Sequence, residues 1–319
     1  MTKISIVIPC YNAEAFIGDA IASALAQSHA DLECIVVDDR STDGSVAIVA
    51  QAAASDPRVK PVFLPENLGA SGARNAGLAV ASGDWITLLD ADDLYRPTRL
   101  ERLLATALAA DATIVVDNQQ VCAFPAISST QLAFGFIRDD PTTITPELYF
   151  AEAAKFGRWL SPGYMKPMFR ADLVRALNLR FDPRFKTGED FLLYADAQVD
   201  RPRFVASPFA GYVYRRREGS LSRAGGEHLR AQARLSDVIL ERHGDKLSAQ
   251  AAASLRARGR LMSRLAGLHD VRVAISDRNF GGALKAVTLQ PDLAMAAVGM
   301  LKRKIANALS PSADVKRAA

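Results

Sequence analysis

The sequence predicts an α/β fold, a mainly parallel central sheet flanked by helices, with a helical extension at its carboxyl end. Three observations predict it. Over the first third, short continuous runs of Ile, Val and Leu alternate with helix-length segments, the pattern of strands buried on both faces of a parallel sheet. The polar residues that interrupt this pattern gather just after the strand ends, where ligands bind in such sheets. At 319 residues the chain is also long for one simple domain, and from about Glu227 it turns helical and rich in Ala, Leu and Arg. The expected division is a core domain over 1–225, itself split near residue 118, and an extension over 226–319.

The first strand is Lys3-Ile-Ser-Ile-Val-Ile-Pro9, whose apolar run is too short for a signal-peptide core. A helix follows over about Glu14–Gln27, with Asn12 placed to cap it, then a strand over Leu32–Asp38 and a helix over about Asp43–Ala54 that Ser41 or Thr42 would cap. The alternation continues with a strand over Val59–Leu64, a helix over about Ser71–Ala81 and a strand from Trp85 to Leu89. A helix from Pro97 to Ala109 and a strand over Thr113–Asp117 complete it. Residues Gln119–Arg138 read as an excursion of short strands, and a helix starts at Thr145-Pro146, with Pro in its first turn.

Composition narrows the function. With 39 Lys and Arg against 35 Asp and Glu, the net charge of +4 is too weak to argue for nucleic acid. The three cysteines, Cys10, Cys34 and Cys122, are far apart and read as reduced thiols of a cytosolic protein; the four histidines show no ligand spacing, which disfavours zinc. No apolar segment reaches the length of a membrane span, since Gly281–Leu301 contains Lys285, Gln290, Pro291 and Asp292. A soluble or peripheral protein is expected. The loop after the first strand carries no glycine, which disfavours a dinucleotide-binding turn.

The most unusual stretch is Asp84–Asp93, a buried strand that ends in Asp90, Asp92 and Asp93 with no Lys or Arg among them. Carboxylates so close repel unless a positive charge sits between them. A hard divalent cation, Mg2+ or Mn2+, that also holds a substrate diphosphate is one neutraliser; a solvated acidic turn capping the next helix is the alternative. Tyr11 has two readings as well, a ring over a base or sugar, or simple packing. Glu14 either lines the same site or complements a helix N-terminus. Either Asp38 or Asp39 can accept the imide N–H of uracil, and Arg74 either binds phosphate or pairs with an Asp.

Four of these segments carry a resemblance. Ile-Val-Ile-Pro-Cys-Tyr-Asn-Ala-Glu, Val-Val-Asp-Asp-Arg-Ser-Thr-Asp-Gly, Asn-Leu-Gly-Ala-Ser-Gly-Ala-Arg-Asn and Leu-Asp-Ala-Asp-Asp, in this order and spacing, closely resemble glycosyltransferase family 2, the inverting enzymes of GT-A fold. The resemblance is strong over about the first 118 residues and extends more weakly to about residue 225. It implies a nucleotide-sugar-binding part over 1–118 and an acceptor-binding part over 119–225. Asp39 becomes the uracil-binding carboxylate, with Pro9, Tyr11, Glu14 and Arg74 around the nucleotide sugar. Asp90-Ala-Asp92 becomes the DXD motif, Asp92 being the direct metal ligand and Asp90 contacting ribose or metal-bound water. The position after Asp39, commonly Gly in the family, is Arg40 here.

Glu189-Asp190, after Gly188, resembles the family's ED motif, which implies Asp190 as the base that deprotonates the acceptor and Glu189 as a supporting or acceptor-binding residue. Trp159 and Lys166 are candidate acceptor or diphosphate contacts, core or interface packing being the alternative for Trp159. Arg215 and Ser220, in a strand that runs into a basic loop, are candidate acceptor or diphosphate contacts on a lid, a solvated charge run being the alternative reading of the loop. The implied reaction moves a sugar from a nucleotide-sugar donor, a UDP-sugar, to a glycan or a polyprenyl-diphosphate-linked acceptor in bacterial exopolysaccharide or surface-glycan assembly. A sugar-phosphate nucleotidyltransferase and a catalytically silent nucleotide-sugar-binding protein are the alternatives. The Ala-rich tail, through Leu293–Leu309 with Lys302, Arg303 and Lys304, either buttresses the domain, forms a homodimer or docks on the inner face of the cell membrane.

Overall fold

In the computed structural model the described residues are 2–155, 160–199, 202–216, 225–277, 279–289 and 298. Four strands build the parallel half of the sheet: β1 (Ile4–Cys10), β2 (Leu32–Asp38), β3 (Val59–Phe63) and β4 (Trp85–Leu88). They are linked by α1 (Ile17–Leu25), α2 (Ser45–Ser55) and α3 (Gly69–Val80). Residues of β1 and β2 alternate between two apolar cores. Val7, Ile35 and Val37 face one, and Ile6, Ile8, Cys34 and Val36 face the other. Burial on both sides is why these strands read as unbroken apolar runs. β3 bonds to β2 alone, so Pro61, which has no N–H to give, is tolerated at this edge.

Beyond β4 the chain departs from simple alternation. A two-residue strand, β5 (Leu94–Tyr95), precedes α4 (Arg99–Ala109), so that helix begins later than Pro97. β6 (Ile114–Ala123) continues past Asp117 after a register shift, and β7 (Thr142–Thr143) leads to α5 (Pro146–Ala153). The Oγ1 of Thr145 accepts the Leu148 N–H and Pro146 stands in the first turn, as the Thr-Pro pair predicts. A 3-10 turn (Pro162–Tyr164) and Lys166 come next, then β8 (Met168–Arg170), α6 (Ala171–Ala176), α7 (Glu189–Gln198) and β9 (Phe204–Arg216).

The sheet order is β3-β2-β1-β4-β8-β6-β9-β5, with β7 on β9. β8 runs antiparallel between β4 and β6. This inversion brings Lys166, just before β8, back to the carboxyl end of β4.

Three helices follow: α8 (Gly226–His243), α9 (Ala249–Ser276) and α10 (Phe280–Leu289). Leu235 and Ile239 of α8 and Ala251 and Leu255 of α9 join the core that contains Phe191 and Val7. Among the described residues no helix is long and apolar enough to cross a membrane. Apart from Val298, the predicted basic segment Leu293–Leu309 lies outside them.

Small residues set the distance between α3 and the sheet. A Cβ on Gly77 would collide with Cγ1 of Val7 and lie 3.3 Å from Cγ2 of Val37. We expect Gly77→Ala to lower unfolding stability by about 1–3 kcal/mol, an overpacking cost that exceeds the helix-propensity gain. Urea unfolding checks this, and a midpoint at or above that of the wild type would refute the close approach.

Candidate active site

The loops after β1 and β2 are laced to each other. The Asn12 N–H donates to Oγ of Ser41 at 3.0 Å, and Oδ1 of Asn12 accepts the Thr42 N–H at 2.8 Å. Asn12 and Ser41 thus serve the neighbouring loop, not the helices that the sequence predicts they cap. Glu14 is exposed and its carboxylate accepts the Gly44 N–H at 2.9 Å, so it complements the entry to α2. Pro9 pairs with Val37 at the sheet's rim, and the Tyr11 ring is 53% exposed above it.

Asp39 is buried where β2 ends. Its Oδ1 accepts the Leu68 N–H at 2.7 Å, and Asn67 donates to its carbonyl at 3.0 Å. Burial raises its carboxyl above the ordinary range, with the amides of Leu68 and Gly69 opposing the rise. Arg40 has φ of 65°, the left-handed region in which Gly is least strained, which accounts physically for a glycine preference at this position.

The acidic turn is neutralised from a distance. Asp90 accepts Nη2 of Arg74 at 3.0 Å and Nζ of Lys166 at 2.9 Å. Burial pushes its carboxyl up, but these two cations outweigh it and hold the group well below the ordinary range. Asp93 is buried, taking the Tyr212 hydroxyl at 2.7 Å and the Arg215 N–H at 2.8 Å. Burial, with the charges of Asp92 and Asp90, raises its carboxyl far above the ordinary range. The lack of Lys or Arg within the turn is therefore no guide to its charge balance. Among the described residues no group of three or more His, Cys, Asp or Glu is arranged to hold a metal.

Gly188, at φ of 82°, turns the chain into α7, whose first two residues are Glu189 and Asp190. Glu189 accepts Nη1 of Arg74 at 2.6 Å, and Asp190 Oδ2 accepts Nζ of Lys166 at 2.7 Å. Oδ1 of Asp190 is buried without a hydrogen-bond partner and lies 3.6 Å from Nη1 of Arg74. Burial raises the Glu189 carboxyl, Arg74 opposing and Asp190 adding to the rise. Asp90, Glu189 and Asp190 thus share two buried cations, and Lys166 spans the strand end and the helix entry.

Arg215 lies under the acidic turn. Its Nε donates to the Asp92 carbonyl at 2.6 Å, its Nη1 contacts Asp19 at 3.2 Å, and its guanidinium stands 5.4 Å from the Phe124 ring. Trp159 and Ser220 lie outside the described residues.

Arg99 escapes the sequence reading. It is fully buried, pairs with Asp117 at 2.8 Å and donates to the Lys166 carbonyl at 2.6 Å, which fixes the backbone that carries Lys166. Its signal is faint: Arg99, Leu103 and Ala107 share a spacing of four, so the arginine falls on the apolar face of α4.

The profile described as Glycosyl transferase family 2 matches residues 5–129. The succinoglycan biosynthesis protein ExoO of Rhizobium meliloti is 36% identical over 314 residues, spanning 97% of this chain and 89% of that protein. The succinoglycan biosynthesis protein ExoU of the same organism is 33% identical over 266 residues, spanning 80% and 74%. Among solved structures, S. aureus TarS 1–349 in complex with UDP-GlcNAc superposes with a TM-score of 0.67 at 21% identity, covering 89% of this chain and 79% of that one. The mannosyltransferase PcManGT from Pyrobaculum calidifontis, in complex with GDP-Man and Mn2+, gives 0.60 at 18% identity, covering 97% and 81%. At these identities the two structures speak to the fold alone, which is α/β of GT-A type.

Removing one partner from a buried charge cluster leaves the others uncompensated. Lys166→Met should cost about 3–5 kcal/mol of unfolding stability near neutral pH. Because Asp90 is held below its unfolded value of 3.8, its stabilising contribution is complete above that value and is lost as pH falls through the folded one. The gap between variant and wild type should therefore narrow on acidification below about 3.8. Paired urea titrations along that range measure it; a gap that stays constant would detach Lys166 from Asp90.

Proposed function

The chain belongs to glycosyl transferase family 2 and is an enzyme, and on that premise we propose that it moves a sugar from a UDP-sugar to a hydroxyl of a glycan acceptor with inversion. The observation that carries this reading is the bridge made by Lys166, 2.9 Å from Asp90 and 2.7 Å from Asp190, which holds the donor-side strand end against the acceptor-side helix. Two groups that must act on opposite sides of one anomeric carbon are held at a fixed separation.

In this reading Asp39 accepts the imide N–H of uracil, and Pro9, Tyr11 and Glu14 frame the base and ribose. Asp90 reaches the ribose side, and Arg74 faces the phosphates while it holds Glu189. The donor set fits a hard cation, Mn2+ or Mg2+, in a site that the substrate completes. By the family resemblance Asp92 is the carboxylate of the turn that would hold the cation, with diphosphate oxygens completing its coordination. Such an ion, when bound, offsets charge that develops on the departing nucleotide.

Asp190 is the base. Lys166 holds its Oδ2 and leaves Oδ1 as a buried acceptor without a hydrogen bond, 3.6 Å from Nη1 of Arg74, and in this reading Oδ1 takes the acceptor's proton. Oδ1 is closed off from solvent, so acceptor binding has to open the wall over it. As the acceptor oxygen attacks the anomeric carbon, its proton passes to Asp190. The bond from that carbon to the diphosphate oxygen breaks, with its electron pair leaving on the nucleotide. Glu189 keeps Arg74 in place and so supports both sides.

The names of ExoO and ExoU support a place in bacterial exopolysaccharide assembly; the acceptor in this reading is a polyprenyl-diphosphate-linked glycan met on the cytoplasmic side.

Calorimetric titration with UDP, with and without Mn2+, tests the donor half. We expect metal-dependent binding that Asp92→Ala loses; silence toward UDP under every metal condition would reject the uridine assignment and direct the search to GDP and dTDP. The acceptor half is tested by Asp190→Asn, which should retain UDP affinity and lose about 10²- to 10⁴-fold in turnover. Near-normal turnover would remove Asp190 from the base role.

A further inference from the structure

Behind the Glu189–Asp190 pair lies a buried cation that the proposed reaction does not use. Arg258 of α9 is 2% exposed and, among the described residues, has no carboxylate partner. Its Nη1 donates to the Gln232 carbonyl at 2.6 Å and to Oγ of Ser236 at 3.0 Å, and its Nη2 donates to Oε1 of Gln232. Its guanidinium stands 4.0 Å from the centroid of the Phe191 ring. Burial pulls the Arg258 pKa down to about 10, which marks a charge kept at an energetic cost and only partly offset by neutral acceptors and a π face.

The groups that Arg258 holds are those that shape the entry to α7. Because Oε1 of Gln232 takes the Arg258 donor, its NH2 end is turned the other way, toward Gly188. A Cβ on Gly188 would lie 2.6 Å from Nε2 of Gln232 and would collide with Leu235, so α8 closes directly on the residue before Glu189. Phe191, the residue after Asp190, is stacked on Tyr149 at 5.3 Å, and the Tyr149 hydroxyl donates to its carbonyl at 3.3 Å. The first turn of α7 is therefore held from the front by Arg74 and Lys166 and from behind by Arg258, Gln232 and Tyr149.

We propose that Arg258 is a positioning residue for Glu189 and Asp190: by orienting Gln232 against Gly188 and clamping the Phe191 ring, it sets where the two carboxylates stand. This rests on the reading that the pair acts in transfer. It makes α8 and α9 part of the catalytic apparatus, since both ends of the clamp come from them. The competing role is that of an interior arginine that only joins α8 to α9.

Arg258→Met, close in size but without charge or donors, separates the two. We expect kcat to fall by about tenfold to a hundredfold, as misplacement of a catalytic group does, with donor KM and UDP affinity within about twofold of wild type. Amide hydrogen exchange in residues 189–193 should speed up, while the loop that carries Asp39 keeps its wild-type rate. Loss of melting temperature with unchanged kcat and unchanged exchange at 189–193 would overturn the proposal. Should the Met variant not fold, Arg258→Lys keeps the charge and loses the planar fork; the same kcat-selective loss at smaller size is expected, and wild-type turnover and exchange would overturn the proposal. If the wild-type protein transfers no sugar from any nucleotide donor, the proposed reaction fails, and the exchange measurement still decides whether Arg258 positions the turn.

Discussion

The structure depends on two buried cations shared among three carboxylates. Arg74 and Lys166 come from a helix and from the approach to an inverted strand; Asp90, Glu189 and Asp190 come from a strand end and a helix entry. None of these groups is stable alone at such burial, because the loss of hydration exceeds what any single pair returns. Together they are bonded on several sides, and the cluster ties α3 and the entry to α7 to the end of the β4–β8 ladder. It also leaves Asp190 unevenly held, with one oxygen hydrogen-bonded to Lys166 and the other without a hydrogen bond, 3.6 Å from Arg74.

Beneath the cluster sits a second pair whose work is indirect. Arg99 and Asp117 are sealed in the core, and the guanidinium spends a donor on the Lys166 carbonyl while lying 4.2 Å from the Tyr95 ring. Asp117 in turn accepts the Gly211 N–H at 2.9 Å, which ties in β9. The inverted strand β8 and the long strand β9 are thereby referred to the same buried point. Tyr212 of β9 then reaches Asp93, and Arg215 reaches the Asp92 carbonyl, so the acidic turn is braced from below. Placement of the turn is a property of the whole sheet, not of the loop that contains it.

The helices after residue 225 continue this logic. α8 and α9 add Leu235, Ile239, Ala251 and Leu255 to the core that holds Phe191, and Leu235 and Gln232 of α8 press on Gly188. Gly188 is the point where left-handed backbone and close approach coincide, since any side chain there would be strained at φ of 82° and would strike α8. Helix entry, carboxylate pair and helical extension are one packed unit at this position.

By itself the sequence determined whatever is local or periodic. Apolar runs at strand spacing marked β1 to β4, Thr145-Pro146 marked a helix start, and carboxylates at strand ends marked the Asp38–Asp39 pair and the Asp90–Asp93 turn, Asp39 being singled out by the family resemblance alone. Motif order added Glu189-Asp190. What the tertiary structure alone decided is which charges meet. Arg74 pairs with Glu189 across 115 residues, and Lys166 joins Asp190 across 24 while it also reaches back to Asp90. Asn12 and Ser41 bond across two loops instead of capping their own helices. Arg99 and Arg258, cations by composition, are interior. Periodicity and capping act within a few residues and so leave a trace in the sequence. Ion pairing is set by distance in space, and no spacing along the chain encodes it.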